Sequence, residues 1–278
     1  MKRLIPILLI FALALALGGC GDFAPDPTAA PSSTSEYSFD RSNFPALAGG
    51  TAQEPLAEAI AAIMLGETRE SVSDLLSFGS TGDAWAALES GEAGLVLASE
   101  PDELPAGVDT AVVSRDALVF YVGEDSAVDS MTTAQLKSVL AGGTKSWSGM
   151  GGKGDIIVLG RPEGSGSLAA VRRLIGADEL AVSDANAAIT SSEVLGYGFY
   201  NEAVLMGLAD GYKLLAIDGV EPTEETIASG EYPLTVDVLA GISSSAAEDS
   251  PGRALWLWLQ GGVGQAFISS QGYLEASK

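Results

Sequence analysis

The chain has no histidine among its 278 residues. That excludes Ser-His-Asp and Cys-His catalytic arrangements, and it removes the commonest zinc ligand. There is a single cysteine, Cys20, so no intrachain disulfide can form and stability must come from the core. Positive charge is scarce: 14 Lys and Arg stand against 37 Asp and Glu, for a formal net charge of −23. Such a field repels nucleic acid and anionic membrane surfaces, so neither is expected as a partner. A small anion is repelled at long range too, and only strong local donors could hold one. No D-x-[DN]-x-[DN]-G loop for calcium occurs, and no G-K-[ST] follows a glycine loop, which excludes a P-loop. The many carboxylates allow a glycosidase-like pair, but no pair stands out.

Only one long apolar run exists. Met1-Lys2-Arg3 precedes Leu4 to Leu17, and Leu17-Gly18-Gly19-Cys20 follows. A basic start, an apolar stretch too short to span a membrane and small residues before a cut are the layout of an export signal. Residues 21–38, GDFAPDPTAAPSSTSEYS, are rich in Pro, Ser, Thr and Ala and read as a flexible tether.

From there strand and helix patterns alternate. Phe44 to Ala48 reads as a strand, Pro55 to Leu65 as a helix, Ser71 to Phe78 as a strand and Ala84 to Ser90 as a helix. Strands are expected at Gly94–Ala98, Ala117–Val122, Asp155–Leu159, Leu214–Ile217 and Leu234–Ile242. Further helices are expected from Thr132, with Gln135 completing a capping box, from Ser167, and over Gly252–Gln260 and Val263–Ser270. The alternation predicts an α/β fold with a largely parallel sheet. Trp256 and Trp258 in ALWLWL suit helix packing better than a carbohydrate platform, and the acidic run Glu221 to Glu231 suits a solvated turn and helix face.

Three of the strand-to-helix turns share one chemistry: Gly49-Gly50-Thr51, Ser80-Thr81-Gly82 and Gly164-Ser165-Gly166-Ser167. Each sets small residues and hydroxyls at a helix start, where backbone N–H groups lack partners and the helix dipole is positive. In open α/β sheets ligands sit beyond the carboxyl ends of the strands. Arg161, just before the third turn, adds a guanidinium fork suited to an oxyanion. The pattern fits an anion cradle; it equally fits three ordinary capped helices. Gly164 to Ala169 also matches G-x-G-x-x-A, a weak pattern for a dinucleotide enzyme in an exported chain.

Longer motifs carry a resemblance. Asp116 to Gly152, DALVFYVGEDSAVDSMTTAQLKSVLAGGTKSWSGMGG, contains an apolar strand, a helix and a G-x-x-x-x-W-x-x-x-G-G loop from Gly143. Arg161 and Ser165-Gly166-Ser167 follow, then GYGFY at Gly196, IDGVEPTEETIASGEYPL from Ile217 and GQAFISSQGYL from Gly264; FPALAGGTAQEPLAEAI precedes them all. In this order they resemble the phosphate-binding proteins of the Pst transport system, over about residues 44–274. Leu-Gly-Gly-Cys likewise resembles a bacterial lipobox, which implies lipidation of Cys20.

The resemblance implies a two-lobed periplasmic-binding-protein (type II) fold, with a signal peptide over 1–19, a lipidated linker over 20–38, lobe 1 over 39–118 and 232–278, and lobe 2 over 119–231. It implies a monomeric, non-enzymatic, cofactor-free lipoprotein outside the cytoplasm that captures phosphate for an ABC importer's permease. It assigns Gly50, Thr51, Ala52, Ser80 and Thr81 to one side of the anion and Arg161, Ser165, Gly166 and Ser167 to the other. The family's phosphate-accepting aspartate is matched to Gly94 in EAGLVLASEP, and Gly50 stands where a hydroxyl or alanine is common. These departures leave room for a surface or signalling lipoprotein with altered anion specificity.

Overall fold

The computed structural model describes residues 37–177, 179–182, 194–207 and 211–276. The export signal, Cys20 and most of the tether lie outside them. The elements run β1 (Leu47–Gly50), α1 (Glu54–Leu65), β2 (Leu76–Gly79), α2 (Thr81–Ser90), β3 (Leu95–Ser99), β4 (Val108–Gly123), β5 (Ser130–Met131) and α3 (Thr133–Leu140). They continue with β6 (Ile157–Val158), α4 (Gly166–Ala170), β7 (Val194–Phe199), α5 (Tyr200–Val204), β8 (Tyr212–Leu214) and β9 (Ala216–Ile217). The chain closes with α6 (Glu224–Ser229), β10 (Thr235–Ser243), α7 (Pro251–Gln260), α8 (Gly262–Ser270) and β11 (Leu274–Glu275).

Local chemistry explains most of these limits. Pro55 opens α1, and Gly66, in the left-handed region at φ 65°, ends it. Thr132 caps α3 through Gln135 N, and Gln135 returns the bond to Thr132 N at 2.7 Å. Ser250 caps α7, and Pro251 follows it. Two readings change. Ser71–Leu75 is not strand: Glu70 to Leu75 form a short helical turn before β2. Beyond Ala170, Val171–Ile175 widen into a π-type turn that Gly176 terminates at φ 69°.

The sheet is mixed rather than largely parallel. Its order is β2-β1-β3-β10-β4-β7-β6, with β8 and β11 also on β4. β1 is parallel to β2 and β3, and β6 is parallel to β7. Between these blocks β10 runs antiparallel to β3 and β4, and β4 antiparallel to β7. The reason is connectivity: the chain crosses from one half to the other in β4 and returns in β10.

β4 changes partners midway. Val108–Ala117 pair with β10, whereas Leu118–Val122 pair with β7. At the changeover Leu118 N donates to Leu234 O at 2.9 Å, and the Tyr232 hydroxyl to Leu118 O at 3.1 Å. Ala117–Val122 are buried on both faces, hence the unbroken apolar run.

Two lobes result, each with its own core. In the first, β1, β3, β10 and the start of β4 bury Leu47, Leu95, Leu97, Val113, Val238 and Ala240 against α1, α7 and α8. Trp258 and Phe267 stack between α7 and α8 at 5.7 Å, and Trp256 Nε1 donates to Ala240 O, so both indoles serve packing. In the second, Phe120, Leu136, Trp147, Val171 and Tyr197 gather around the second half of β4. Trp147 is 1% exposed, and a Cβ on Gly152 would approach its Cβ to 2.7 Å, which accounts for the spacing of the W-x-x-x-G-G loop.

Asp116 sits fully buried at the crossing. Its Oδ1 accepts from Ala117 N at 2.7 Å and Asn201 N at 3.2 Å, while Oδ2 has no partner among the described residues. Burial pushes its carboxyl up to about 7 from an ordinary 3.8. The folded state therefore holds a proton that the unfolded chain releases. This stabilising contribution is full below about pH 4 and is lost as pH rises through about 7. The wild type's melting temperature is expected to fall relative to Asp116→Asn across that window. A difference that stays constant with pH would contradict the assignment.

Candidate functional site

The carboxyl ends of β1 and β2 point to the same cleft as the loop after β6. A cavity of about 180 Å³ opens there, lined by Gly50, Thr51, Ala52, Gln53, Gly79, Ser80 and Thr81 on the first lobe. The second lobe supplies Arg161, Pro162, Ser165, Gly166, Ser167, Phe199 and Glu202. All nine residues that the sequence marks around an anion thus line one cavity, although they span more than a hundred positions.

The turns are not equivalent. Ser80 Oγ accepts from Asp83 N at 3.0 Å and donates to Asp83 Oδ2 at 2.7 Å, so this hydroxyl is an ordinary helix cap. Ser165 makes no side-chain cap; its hydroxyl lies 3.0 Å from that of Ser167. Thr81, 3% exposed, points its hydroxyl at Ser99 Oγ, 3.3 Å away. Two donors beside them stay open: Gln53 Nε2 and Arg161 Nε are buried without a partner among the described residues.

Gly166 marks where the lobes meet. A Cβ there would lie 2.3 Å from Ser99 Oγ and 2.4 Å from Thr81 Oγ1, both in the opposite lobe. Beside it Gly82 N donates to Gly164 O at 3.0 Å across the cleft. Outside, Arg172 joins Glu163 at 2.7 Å and Asp102 at 2.8 Å, and Arg173 meets Glu100 at 3.5 Å.

Glu202, Gln53 and Ser99 were not singled out by sequence. Glu202 Oε1 accepts from the Thr51 hydroxyl at 2.6 Å across the cleft, and Arg161 Nη2 lies 3.4 Å from Oε2. Phe199 N is 3.5 Å from Oε2. One clue existed: FYNEA places a carboxylate in the first turn of a helix that follows a buried strand. Nothing in the sequence sets it apart from the other acidic residues. Near Arg161 the Tyr197 hydroxyl is buried without a partner among the described residues, and desolvation pushes it up to about 12.

The position of Gly94 is corrected. Its N–H donates to Ala46 O at 2.9 Å, beside Pro45 and just before β1, at the far end of β3 from the cleft. Ser99 lies five residue steps farther along the strand, roughly 16 Å away. Gly94 therefore takes no acceptor away from the cleft. The cleft end of β3 carries Ser99 and then Glu100.

A family model described as a PBP superfamily domain matches residues 42–252. Among curated proteins, the chain is 25% identical over 246 residues to the phosphate-binding protein PstS of Bacillus subtilis, covering 84% of this chain and 81% of that one. An ABC-type phosphate transport receptor from Vibrio cholerae aligns with a TM-score of 0.62 at 18% identity, over 83% of this chain and 98% of that one. A Clostridium perfringens protein solved with bound phosphate aligns at 0.63 and 19%, over 83% and 99%. At these identities the structures speak for the two-lobed fold.

Proposed function

This chain belongs to the PBP superfamily, and on that premise we propose that it captures phosphate outside the cytoplasm and delivers it to an ABC importer. The observation that carries this reading is the single cleft whose two walls present Arg161, hydroxyls and the starts of several helices inward. The similarity to curated PstS proteins supports the choice of ligand. The assigned ligand contacts are Gly50, Thr51, Ala52, Ser80 and Thr81 from lobe 1 (39–118 and 232–278) and Arg161, Ser165, Gly166 and Ser167 from lobe 2 (119–231). Closure swings the lobes about the β4 and β10 crossings. In this reading Cys20 carries the lipid that holds a monomer at the membrane, and the lobe surfaces meet the permease.

Calorimetric titration of the purified protein, refolded to strip bound ligand, tests the assignment. Saturable one-to-one phosphate binding is expected, with sulfate much weaker. A second reading, a surface or signalling lipoprotein with altered anion specificity, draws on Glu202, a carboxylate set among the donors. Binding of neither ion would favour it over transport.

A further inference from the structure

Gln53 lines the first-lobe wall of the cleft and stands outside the nine residues assigned to the anion. It directly precedes α1, where a side chain can cap a helix, yet its amide makes no cap hydrogen bond. The residue is 1% exposed, and its Nε2 is buried without a partner among the described residues. A buried N–H with no acceptor costs stability unless another group accepts from it.

The other side-chain donors of that wall are committed. Thr51 donates to Glu202 Oε1 at 2.6 Å and Ser80 to Asp83 Oδ2 at 2.7 Å, and the Thr81 hydroxyl lies 3.3 Å from that of Ser99. Among the described residues, Gln53 thus brings the first-lobe lining its one uncommitted side-chain N–H. Gly50 makes room for it. At φ −73° and ψ 152° its backbone is extended and open to any residue, so conformation does not call for glycine. Space does: a Cβ there would lie 3.0 Å from Gln53 Oε1 and 3.2 Å from Thr81 Oγ1. The amide therefore folds back over the turn between β1 and α1. It lies beside Thr81, whose hydroxyl a Cβ on Gly166 of the second lobe would meet at 2.4 Å.

Building on the phosphate reading above, we propose that Gln53 is a further anion contact, its Nε2 donating to a ligand oxygen from the first lobe opposite Arg161. The ligand is the acceptor that this amide lacks. Gln53 therefore lowers the stability of the free protein and raises its affinity, and the two effects separate on mutation.

The test is calorimetric titration with phosphate, beside thermal unfolding without it, for the full chain and for Gln53→Met. Methionine keeps the length of the side chain and loses the donor. Phosphate affinity is expected to fall roughly ten- to a hundredfold, the range for a hydrogen bond to a charged group. The melting temperature of the phosphate-free variant is expected to hold or rise, because a buried donor without an acceptor is gone. A purely structural amide gives the opposite pair: a lower melting temperature at unchanged affinity. A loss of affinity matched by a fall of several degrees in melting temperature also overturns the proposal. Should Gln53→Met not fold, Gln53→Leu gives the same two readouts. Failure of both to fold marks the amide as structural and overturns the proposal as well. No phosphate binding by folded wild type overturns the phosphate reading and this inference together; equal binding by wild type and folded variant overturns this inference alone.

Discussion

Replacing Arg161 with alanine is expected to weaken phosphate binding by roughly a hundredfold to several thousandfold, while the melting temperature moves by only a few degrees. Arg161 is the one cation in the cleft lining. Its guanidinium is 26% exposed, and its Nε is buried with no partner among the described residues. Removing one member of a desolvated, hydrogen-bonded charge pair costs about 3–5 kcal/mol, most of it the penalty of leaving the other charge unpaired. Here the unpaired charge would be the ligand, with Glu202 beside it. The fold should survive because Arg161 lies in a loop, outside the two apolar cores. Arg161→Lys should recover part of the loss, since a point charge replaces a planar fork. Calorimetric titration beside thermal unfolding gives both readouts. Unchanged phosphate affinity in a folded Arg161→Ala protein would refute the anion site.

Gly166→Ala should be nearly as damaging to binding, by a different route. The added methyl would stand 2.3 Å from Ser99 Oγ and 2.4 Å from Thr81 Oγ1, closer than such atoms ever approach. Ser99 is 1% exposed and Thr81 3%, so neither side chain has room to retreat. The strain falls on the contact between lobes rather than within either core. The lobes should therefore fold but fail to meet at the spacing the ligand needs. A loss of phosphate affinity of about a hundredfold is expected; small-angle scattering is expected to show compaction on phosphate addition in the wild type and none in the variant. Ser165→Ala is the control: it removes a hydroxyl and adds no bulk, and should cost about 1 kcal/mol, or roughly fivefold. Wild-type affinity in Gly166→Ala would mean that the lobes need not approach this closely.

Much of the local structure was legible. The capping box at Thr132 and Gln135, Pro55 at the start of α1 and Pro251 at the start of α7 act within a few residues of themselves. So do the hydroxyl-bearing turns; the resemblance to the phosphate-binding proteins then assigned nine residues to the anion, and all nine line one cavity. Gly94 failed for a related reason. A buried five-residue strand reads the same from either end, and which end faces a ligand depends on its neighbours. The first half of β4 escaped notice because Val108–Asp116 form no continuous apolar run and include Asp109, Thr110, Ser114, Arg115 and Asp116. Its pairing with β10 joins segments more than a hundred residues apart.

The sequence by itself determined the alternation of strands and helices, the caps, the anion-suited turns and the lack of any histidine chemistry, because each depends on residue type and near-neighbour hydrogen bonding. Tertiary structure decided the mixed sheet, the close approach of Gly166 to Thr81 and Ser99, and the meeting of Glu202 with Thr51 across 151 positions of chain. Those depend on where the crossing strands β4 and β10 carry each lobe. Strand pairing and burial between distant segments are settled by the packing of the whole chain, and no local pattern records them.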